Sequence, residues 1–243
     1  MTQDMRRGTL YLIPTNLSEP FSAAQILPQS VIATTHQLNF FIAENAKTAR
    51  AFLKAIGVTR PISEISIVEL DKHARAANSA DIDIMLTPLL DGFDVGLVSE
   101  AGAPAVADPG AVVVAAAHRH GLQVRPLVGA SSLLLGLMAS GLNGQSFSFH
   151  GYIAQEKLAR KLAIQTLERE SKTKHMTQLF IETPYRNQVL IDDLLAHLLP
   201  ATYLCIACDL TGEHEHIQTK QVSDWLKKPP TLEKRPTLFL FLA

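Results

Sequence analysis

The 243-residue sequence predicts an α/β protein of two domains. Short apolar runs alternate with helical patterns along the chain, which is typical of stacked strand–helix units. A hydrophobic content of 47% can supply a proper core. Near Asn143–Ser146 the sequence changes to polar turn residues. We therefore expect an N-terminal α/β domain over residues 1–142 and a C-terminal α/β domain over residues 143–243.

Charge and cysteine content narrow the class of protein. The formal net charge is −1. A protein that binds nucleic acid chiefly by neutralising phosphates is expected to be more basic, although a local basic patch stays open. Two cysteines cannot form a disulfide framework, so we expect the protein to be located in the reducing cytoplasm. No apolar run approaches about 20 residues and the first residues lack a signal-peptide pattern, so we expect no membrane span and no secretion.

In the first domain, apolar runs bounded by turn residues predict strands, and the stretches between them predict helices. Asn45 is expected to cap the first helix, Gly57 to end it, and Pro109 to lie in the first turn of a later helix. The expected strands are 9–14, 40–44, 65–70, 94–99 and 122–128. The expected helices are 45–57, 77–92, 109–121 and 131–142.

The second domain continues the same alternation. It begins with the apolar segment 147–153 and a charged helix over about 155–171. Further strands are expected at 176–182 and 202–210, and the chain closes with a last strand at 237–243.

The segment LVSEAGAPAVADPG, residues 97–110, is more elaborate than the usual short connection between a strand and a helix. Ala101, Gly102 and Ala103 leave backbone N–H and C=O groups uncovered, so a flat polar ligand can be held there by main-chain hydrogen bonds. The alternative is a tight connection. For Asp108 alone we expect the structural role, as the N-cap of the following helix, and for the whole segment a ligand loop.

A second small-residue turn, Gly129–Ser132, joins the next strand to its helix. The helix N-terminus offers free N–H groups and a partial positive charge, although Ser131 by itself fits an N-cap. Ligands in open α/β sheets bind at the carboxyl ends of strands, so two such turns in consecutive units predict a shared cleft. The chain has no P-loop and no glycine-rich dinucleotide fingerprint after a strand, which excludes those nucleotide-binding classes.

Six motifs occur in order and at suitable spacing: GTLYLIPTN, LVSEAGAPAVADPG, PLVGASS, FSFHGYI, LFIETPYR and DLTGEHE. With them the chain resembles the tetrapyrrole methylase superfamily of class III S-adenosylmethionine methyltransferases. Within it, the chain is similar to the small-subunit ribosomal RNA cytidine 2′-O-methyltransferases. The resemblance covers nearly the whole chain. It implies two α/β domains with S-adenosylmethionine in the cleft between them, usually in a homodimer, and ribosomal RNA or the small ribosomal subunit as methyl acceptor.

The resemblance also implies which residues contact the cofactor. They stand in the turns after strands and near the ends of two strands of the second domain. These positions are Pro14, Ser99, Ala101, Gly102, Ala103, Val106, Ser131, Ser132, Ile181, Leu210 and Thr237. The two small-residue turns are then expected to hold the methionine and adenosine parts through the backbone.

Three segments depart from the pattern of that branch. PTNLSEPFS stands where a glycine-bearing loop like TPIGNLGD is typical, and CDLTG stands for a turn like RELTK. After the second strand, Glu44 is kept, but Asn45, Lys47 and Thr48 replace an aspartate, an arginine and a histidine. The loops after the first two strands face the acceptor in such folds. Two alternatives therefore stay open: a small-molecule or protein acceptor, and a non-catalytic cofactor-binding protein.

A general base assists methyl transfer to a hydroxyl, although positioning supplies most of the acceleration because the sulfonium is already activated. The candidates are Glu44, Glu100 and Glu182, each at the end of an apolar strand. For each, the alternative is a strand-end carboxylate satisfied by a neighbouring helix N-terminus. We expect Arg186 to pair with Glu182 rather than to contact an acceptor phosphate.

Cys205, Cys208, His214 and His216 have the residue types of a zinc site. The two cysteines lie in a predicted strand, where residues three apart point to opposite faces. We therefore expect no metal site.

Overall fold

The computed structural model describes residues 6–18, 23–70, 79–232 and 234–243. The chain forms two compact units, one ending at Ser131 and the other running from Ser132 to Ala243. Each unit contains a five-stranded sheet and several helices, so the expected α/β class is confirmed. Among the described helices, none has the length and apolar character needed to cross a bilayer.

The sheet of the first unit is formed by the five segments that the sequence predicts as strands. They are β1 (Thr9–Ile13), β2 (Phe40–Ala43), β3 (Ser66–Glu69), β4 (Val95–Val98) and β5 (Gln123–Pro126). All neighbours are parallel, in the order β3-β2-β4-β1-β5. Because β1 lies between β4 and β5, the loops that follow these three strands lie side by side at one edge of the sheet.

Helices connect these strands. They are α1 (Ala23–Ile26), α2 (Gln29–His36), α3 (Ala46–Ala55), α4 (Ser79–Met85), α5 (Thr87–Leu90) and α6 (Ala111–Arg119). The cap predicted for α3 is confirmed, since the Asn45 side chain accepts the N–H groups of Lys47 and Thr48. Helices α1 and α2 have no counterpart among the expected helices.

Two expectations about these helices are wrong. The helix expected over 77–92 is divided at Leu86, because Pro88 at the start of α5 has no N–H to continue the helical hydrogen bonds; its first two positions, 77 and 78, lie outside the described residues. Asp108 does not cap α6. The N-cap is Gly110, no side chain caps it, and Pro109 precedes the helix.

Helices cover both faces of the first sheet. One apolar cluster contains Ile13 and Phe41 and includes residues of α3, and a second contains Leu10 and Leu97 and includes residues of α6. All four residues of the central strand β4 are buried. This explains why the strands are continuous apolar runs, since a parallel sheet is covered on both sides.

The second unit has a mixed sheet in the order β6-β7-β10-β8-β9, in which only the β6–β7 pair is parallel. Its strands are β6 (Phe147–Tyr152), β7 (Thr177–Glu182), β8 (Tyr203–Cys208), β9 (His216–Gln221) and β10 (Thr237–Leu242). Its helices are α7 (Ser132–Ser140), α8 (Lys157–Lys174), α9 (Asn187–His197) and α10 (Val222–Lys227).

Helix α7 packs on the second sheet, although it precedes the boundary that the sequence places after residue 142. At Gly136, a Cβ atom would lie 2.4 Å from Cδ2 of Leu238 in β10. Glycine therefore allows the helix backbone to approach the sheet closely. The packing of α7 on the second sheet agrees with the division of the compact units between Ser131 and Ser132.

Aromatic packing fills the core of the second unit. The rings of Phe180 and Phe239 stack with centroids 5.9 Å apart, and Phe241 meets Phe180 edge-on at 5.8 Å. Trp225 is buried, and its Nε1 donates to the Leu204 carbonyl at 2.9 Å. The single tryptophan thus anchors α10 to β8.

Candidate active site

In the first unit, backbone contacts join the loops after β1 and β4. The Thr15 N–H donates to the Gly102 carbonyl at 3.0 Å, and the Thr15 hydroxyl donates to the Ser99 carbonyl at 3.4 Å. The Ser99 hydroxyl in turn donates to the carbonyls of Ala101 and Gly102, at 3.3 and 3.1 Å. The Ser99 side chain therefore stabilises the conformation of its own loop.

The loop after β5 reaches the same place. A Cβ atom at Gly129 would lie 2.4 Å from Cβ of Pro14, so the Gly129 backbone lies close against the proline ring. Gly102 has φ +70°, and a Cβ there would lie 2.9 Å from Leu17 Cδ2 and 3.5 Å from the Ala130 carbonyl. Small residues at these positions allow the three loops to approach one another closely. The structure thus brings together the turns that the sequence singled out.

The other cofactor positions predicted in this unit lie around that junction. Gly102 is buried, Ala103 and Ser131 are half-buried, and Ala101 is exposed. Ser132 is the half-buried first residue of α7, at the start of the second unit.

Val106 stands between two residues of unusual backbone conformation. Ala105 has φ 65° and Ala107 has φ 61°, which is the left-handed region that L-residues rarely adopt. The Val106 side chain is 47% exposed. Such conformations persist where the surrounding structure enforces them, and they concentrate at functional sites.

The side chain of Asp108 accepts hydrogen bonds from the backbone of this segment. Both of its carboxylate oxygens lie 2.9 Å from the Ala105 N–H nitrogen, and Oδ1 also accepts the Gly110 N–H at 2.6 Å. Burial raises the pKa of Asp108 above its ordinary value, while the hydrogen bonds from Gly110 and Ala105 act in the opposite direction.

Two of the three candidate bases are neighbours in the first unit. Glu44 directly follows β2, and Glu100 stands two residues after the end of β4; these strands are paired through Ala43 and Val98. The Glu44 carboxylate accepts the backbone N–H of Glu100 at 3.4 Å. Glu100 is exposed and Glu44 is half-buried, so Glu100 presents the more accessible carboxylate.

In the second unit, the remaining predicted cofactor positions lie at one end of the sheet. Thr237, the first residue of β10, is paired with Glu182 of β7 on one side and with Cys208 of β8 on the other. Ile181 is paired with Leu238. Leu210 follows two residues after Cys208, so the structure brings Ile181, Leu210 and Thr237 to one edge.

Leu210, like Val106, is flanked by left-handed residues. Asp209 has φ 53° and Thr211 has φ 63°. A Cβ at Gly212 would lie 2.5 Å from an Asp209 carboxylate oxygen, so only glycine leaves room for that side chain. Among the described residues, four of the five non-glycine residues with positive φ therefore flank two positions that the sequence assigns to the cofactor.

The third candidate base, Glu182, is held in an ion pair. Its side chain is 2% exposed and bonds Arg186, which is 30% exposed. The Glu182 carboxylate also accepts the Thr183 N–H at 2.6 Å. The expected pairing of Arg186 with Glu182 is thus present.

Two buried hydroxyls suit a polar ligand. Within the described residues, Ser18 Oγ and Thr211 Oγ1 have no hydrogen-bond partner. Ser18 follows β1, and Thr211 lies in the turn after β8. Because a buried unpaired hydroxyl is costly, each of these two hydroxyls is suited to a polar ligand of its own unit.

The cysteine and histidine residues are separated by burial. Cys205 and Cys208 are buried free thiols, whereas His214 and His216 are exposed. Burial raises the pKa of the Cys205 thiol, opposed by a hydrogen bond with Thr219. In the described part of the chain, no three His, Cys, Asp or Glu side chains are arranged to hold a metal ion.

One exposed pair was missed by the sequence analysis. Tyr185 lies in the short 3-10 helix Pro184–Arg186 directly after β7, and its side chain is 79% exposed. The Lys234 amine lies 5.1 Å from the centre of its ring. The YR pair inside LFIETPYR was the available signal, but Lys234 is distant in the sequence.

No protein-family model matches the chain. A ribosomal RNA small subunit methyltransferase I of Streptococcus pyogenes serotype M6 is 32% identical over 224 residues, which cover 90% of this chain and 70% of that protein. The protein of the same name from Halalkalibacterium halodurans is 30% identical over 209 residues, which cover 86% of this chain and 66% of that protein. The chain thus spans about two thirds of the length of these relatives.

The fold has solved counterparts. A crystal structure of diphthine synthase superposes with a TM-score of 0.64 at 14% identity, covering 97% of this chain and 90% of that one. At this level of identity the similarity concerns the fold alone.

Proposed function

Because this chain belongs to the ribosomal RNA small subunit methyltransferase I family and is an S-adenosylmethionine-dependent methyltransferase, we propose that it methylates RNA of the small ribosomal subunit. We propose a ribose 2′-hydroxyl as the acceptor group. The observation that carries the proposal is the junction of Pro14, Gly102 and Gly129, where three loops meet at the carboxyl edge of the first sheet.

The backbone of these loops holds the cofactor in this proposal. In the first unit, Pro14, Ser99, the stretch Ala101–Ala103, Val106 and Ser131 contribute. In the second unit, Ser132, Ile181, Leu210 and Thr237 contribute. S-adenosylmethionine supplies, when bound, a methyl group that is already activated by the sulfonium charge.

Glu100 accepts the proton of the acceptor hydroxyl. Its carboxylate is exposed on the loop that carries the cofactor-binding backbone. Glu44 positions this loop through its bond to the Glu100 N–H. Glu182 is committed to Arg186 and has a structural role. A general base contributes about 100-fold or more, so Glu100→Gln is expected to lower kcat by about that factor and Glu44→Gln by less.

Tyr185 and Lys234 support RNA as the acceptor. An exposed ring in a rigid turn provides a stacking platform for an unpaired base, and a lysine amine beside it can contact phosphate. A local pair of this kind can contact RNA although the net charge of the whole protein is −1.

The resemblance also leads us to propose a homodimer that acts in the cytoplasm, where small ribosomal subunits are assembled. The apolar side chains of Leu134 and Met138 on α7 are 56% and 78% exposed and are available to a second copy. Sedimentation analysis of the pure protein tests this assembly. A single monomeric species at micromolar concentration contradicts it.

Calorimetric titration with S-adenosylmethionine and S-adenosylhomocysteine tests the cofactor assignment. Saturable binding that Gly102→Trp abolishes is expected. Gly57→Trp is the matched control, because Gly57 also has positive φ but an added Cβ there meets nothing within 4 Å. Absence of binding to the unaltered protein contradicts the proposal.

Methyl transfer to small ribosomal subunits tests the acceptor. Subunits purified from a strain that lacks the gene are expected to take up label from S-[methyl-³H]adenosylmethionine. Cofactor binding without uptake contradicts the RNA proposal and favours a small-molecule or protein acceptor. Cofactor binding without turnover on any substrate favours the non-catalytic alternative.

A further inference from the structure

We infer that Asp108 is a positioning residue for methyl transfer. Its carboxylate holds the left-handed backbone around Val106 and thereby shapes the loop after β4, which carries cofactor-binding residues in the proposed function. The inference rests on the proposed function, because it concerns the same loop. It assigns no contact between Asp108 and the cofactor, and it replaces the helix-capping role expected from the sequence.

The geometry is that of a carboxylate bound on both sides by backbone donors. Ala105 N–H lies 2.9 Å from each oxygen, and Gly110 N–H lies 2.6 Å from Oδ1. The fit leaves little space, because a Cβ at Gly110 would lie 2.9 Å from Asp108 Oδ1 and 3.1 Å from Leu97 Cδ2. Asp108 therefore ties the two ends of the segment Ala105–Gly110 to each other.

The two alanines need such a tie. Ala105 and Ala107 adopt φ 65° and 61°, a region that is natural for glycine but unfavourable for alanine. A loop of small apolar side chains has few interactions of its own to hold this conformation. The bond from Ala105 N–H to Asp108 fixes the first of the two residues directly.

Asp108 serves hydrogen bonding rather than ion pairing. Over residues 6–18, 23–70, 79–232 and 234–243, no lysine, arginine or histidine lies within ion-pair distance of its carboxylate. Burial raises the pKa of the Asp108 carboxyl, and the N–H groups of Gly110 and Ala105 oppose this shift only in part. The interactions of the Asp108 side chain are thus with the loop backbone and not with a charged partner.

Asp94 provides a matched control. It lies just before β4, and its carboxylate accepts the Thr9 N–H at 2.7 Å. It is thus another half-buried aspartate of the first unit with a backbone donor, but it stands at the opposite end of β4. Replacing either aspartate by alanine is expected to lower the stability of the protein. Only the replacement of Asp108 is expected to lower the affinity for the cofactor.

The experiment measures the Kd of S-adenosylhomocysteine by calorimetry, together with KM for S-adenosylmethionine and kcat. Asp108→Ala is expected to raise Kd and KM by about tenfold, the effect of losing a hydrogen bond to a charged group, with a smaller change in kcat. Asp94→Ala is expected to leave Kd and KM unchanged. Asp108→Asn, which keeps one acceptor oxygen, is expected to fall between Asp108→Ala and the unaltered protein.

A glycine background separates positioning from a general structural role. In the double variant Ala105→Gly/Ala107→Gly the left-handed conformation is natural without the carboxylate. Asp108→Ala is therefore expected to raise Kd in that background by less than a third of its effect in the unaltered protein. A merely structural role predicts the same increase in both backgrounds.

The outcomes distinguish the inference from the proposed function. If the unaltered protein binds the cofactor and Asp108→Ala binds it equally well, or if the glycine background changes nothing, the inference is wrong and the proposed function stands. If the unaltered protein binds no cofactor, the proposed function fails and the inference fails with it. Where Asp108→Ala does not fold, as judged by circular dichroism, Asp108→Asn in the two backgrounds decides.

Discussion

The carboxylate of Glu182 is paired with the guanidinium of Arg186 four positions later, at the carboxyl end of β7. With only 2% of its side chain exposed, Glu182 depends on this partner and on the Thr183 N–H. Glu182 is paired with Thr237, the first residue of β10, and Arg186 ends the 3-10 helix that carries Tyr185. The Glu182–Arg186 ion pair is thus expected to contribute to stability, and it is adjacent in the sequence to Tyr185, the candidate RNA contact.

Arg186→Met is expected to lower the free energy of unfolding by about 3 kcal/mol, because it leaves a buried carboxylate without its counter-ion. Urea denaturation measures the change. In the double variant Glu182→Gln/Arg186→Met most of the loss is expected to be recovered. A single variant as stable as the unaltered protein contradicts the assignment of a structural pair.

Gly129→Ala is expected to weaken cofactor binding and to cost about 1–3 kcal/mol of stability, since the new methyl group overlaps Pro14. Gly144→Ala is the control, because an added Cβ there meets nothing within 4 Å. Calorimetry and thermal unfolding report the two effects. Equal behaviour of the two variants contradicts the close contact between the loops after β1 and β5.

The stability contribution of Asp108 is expected to depend on pH. Burial raises the pKa of Asp108 in the folded protein above its ordinary value of 3.8, so folding favours the protonated side chain. This contribution is fully present below the unfolded value and is lost as the pH rises through the folded value.

The free energy of unfolding of the unaltered protein, relative to Asp108→Asn, is therefore expected to fall as the pH rises above the ordinary aspartate value of 3.8. Urea titrations of both proteins at a series of pH values measure the difference. A difference that grows with pH contradicts the direction of the shift.

Tyr185→Ala is expected to weaken binding to single-stranded RNA by about tenfold, the loss of one stacked base, while Kd for S-adenosylhomocysteine stays unchanged. Tyr203→Ala is the control. Tyr203 is also exposed, at 47%, but it lies at the start of β8, whereas Tyr185 follows the carboxyl end of β7. Lys234→Ala is expected to reduce the salt dependence of RNA binding by about one ion. Equal RNA affinity of the two tyrosine variants contradicts the stacking role.

Much of the fold follows from local chemistry. The strands of the first unit are apolar runs because both faces of a parallel sheet are covered. Asn45 caps α3 because a short polar side chain satisfies the first free N–H groups of a helix. The division of the helix at Leu86 was also visible in principle, since Pro88 interrupts helical hydrogen bonding.

Sequence alone therefore determined the α/β class, the strands of the first unit and the small-residue turns, because these depend on side-chain size and periodicity within short windows. Only the tertiary structure decided that β1 lies between β4 and β5, and this order joins Pro14, Gly102 and Gly129. It also decided the left-handed conformation of Ala105, since alanine has no intrinsic preference for it and a carboxylate three residues later must hold it. Strand order and enforced backbone conformation arise from contacts between segments, which no short window of sequence contains.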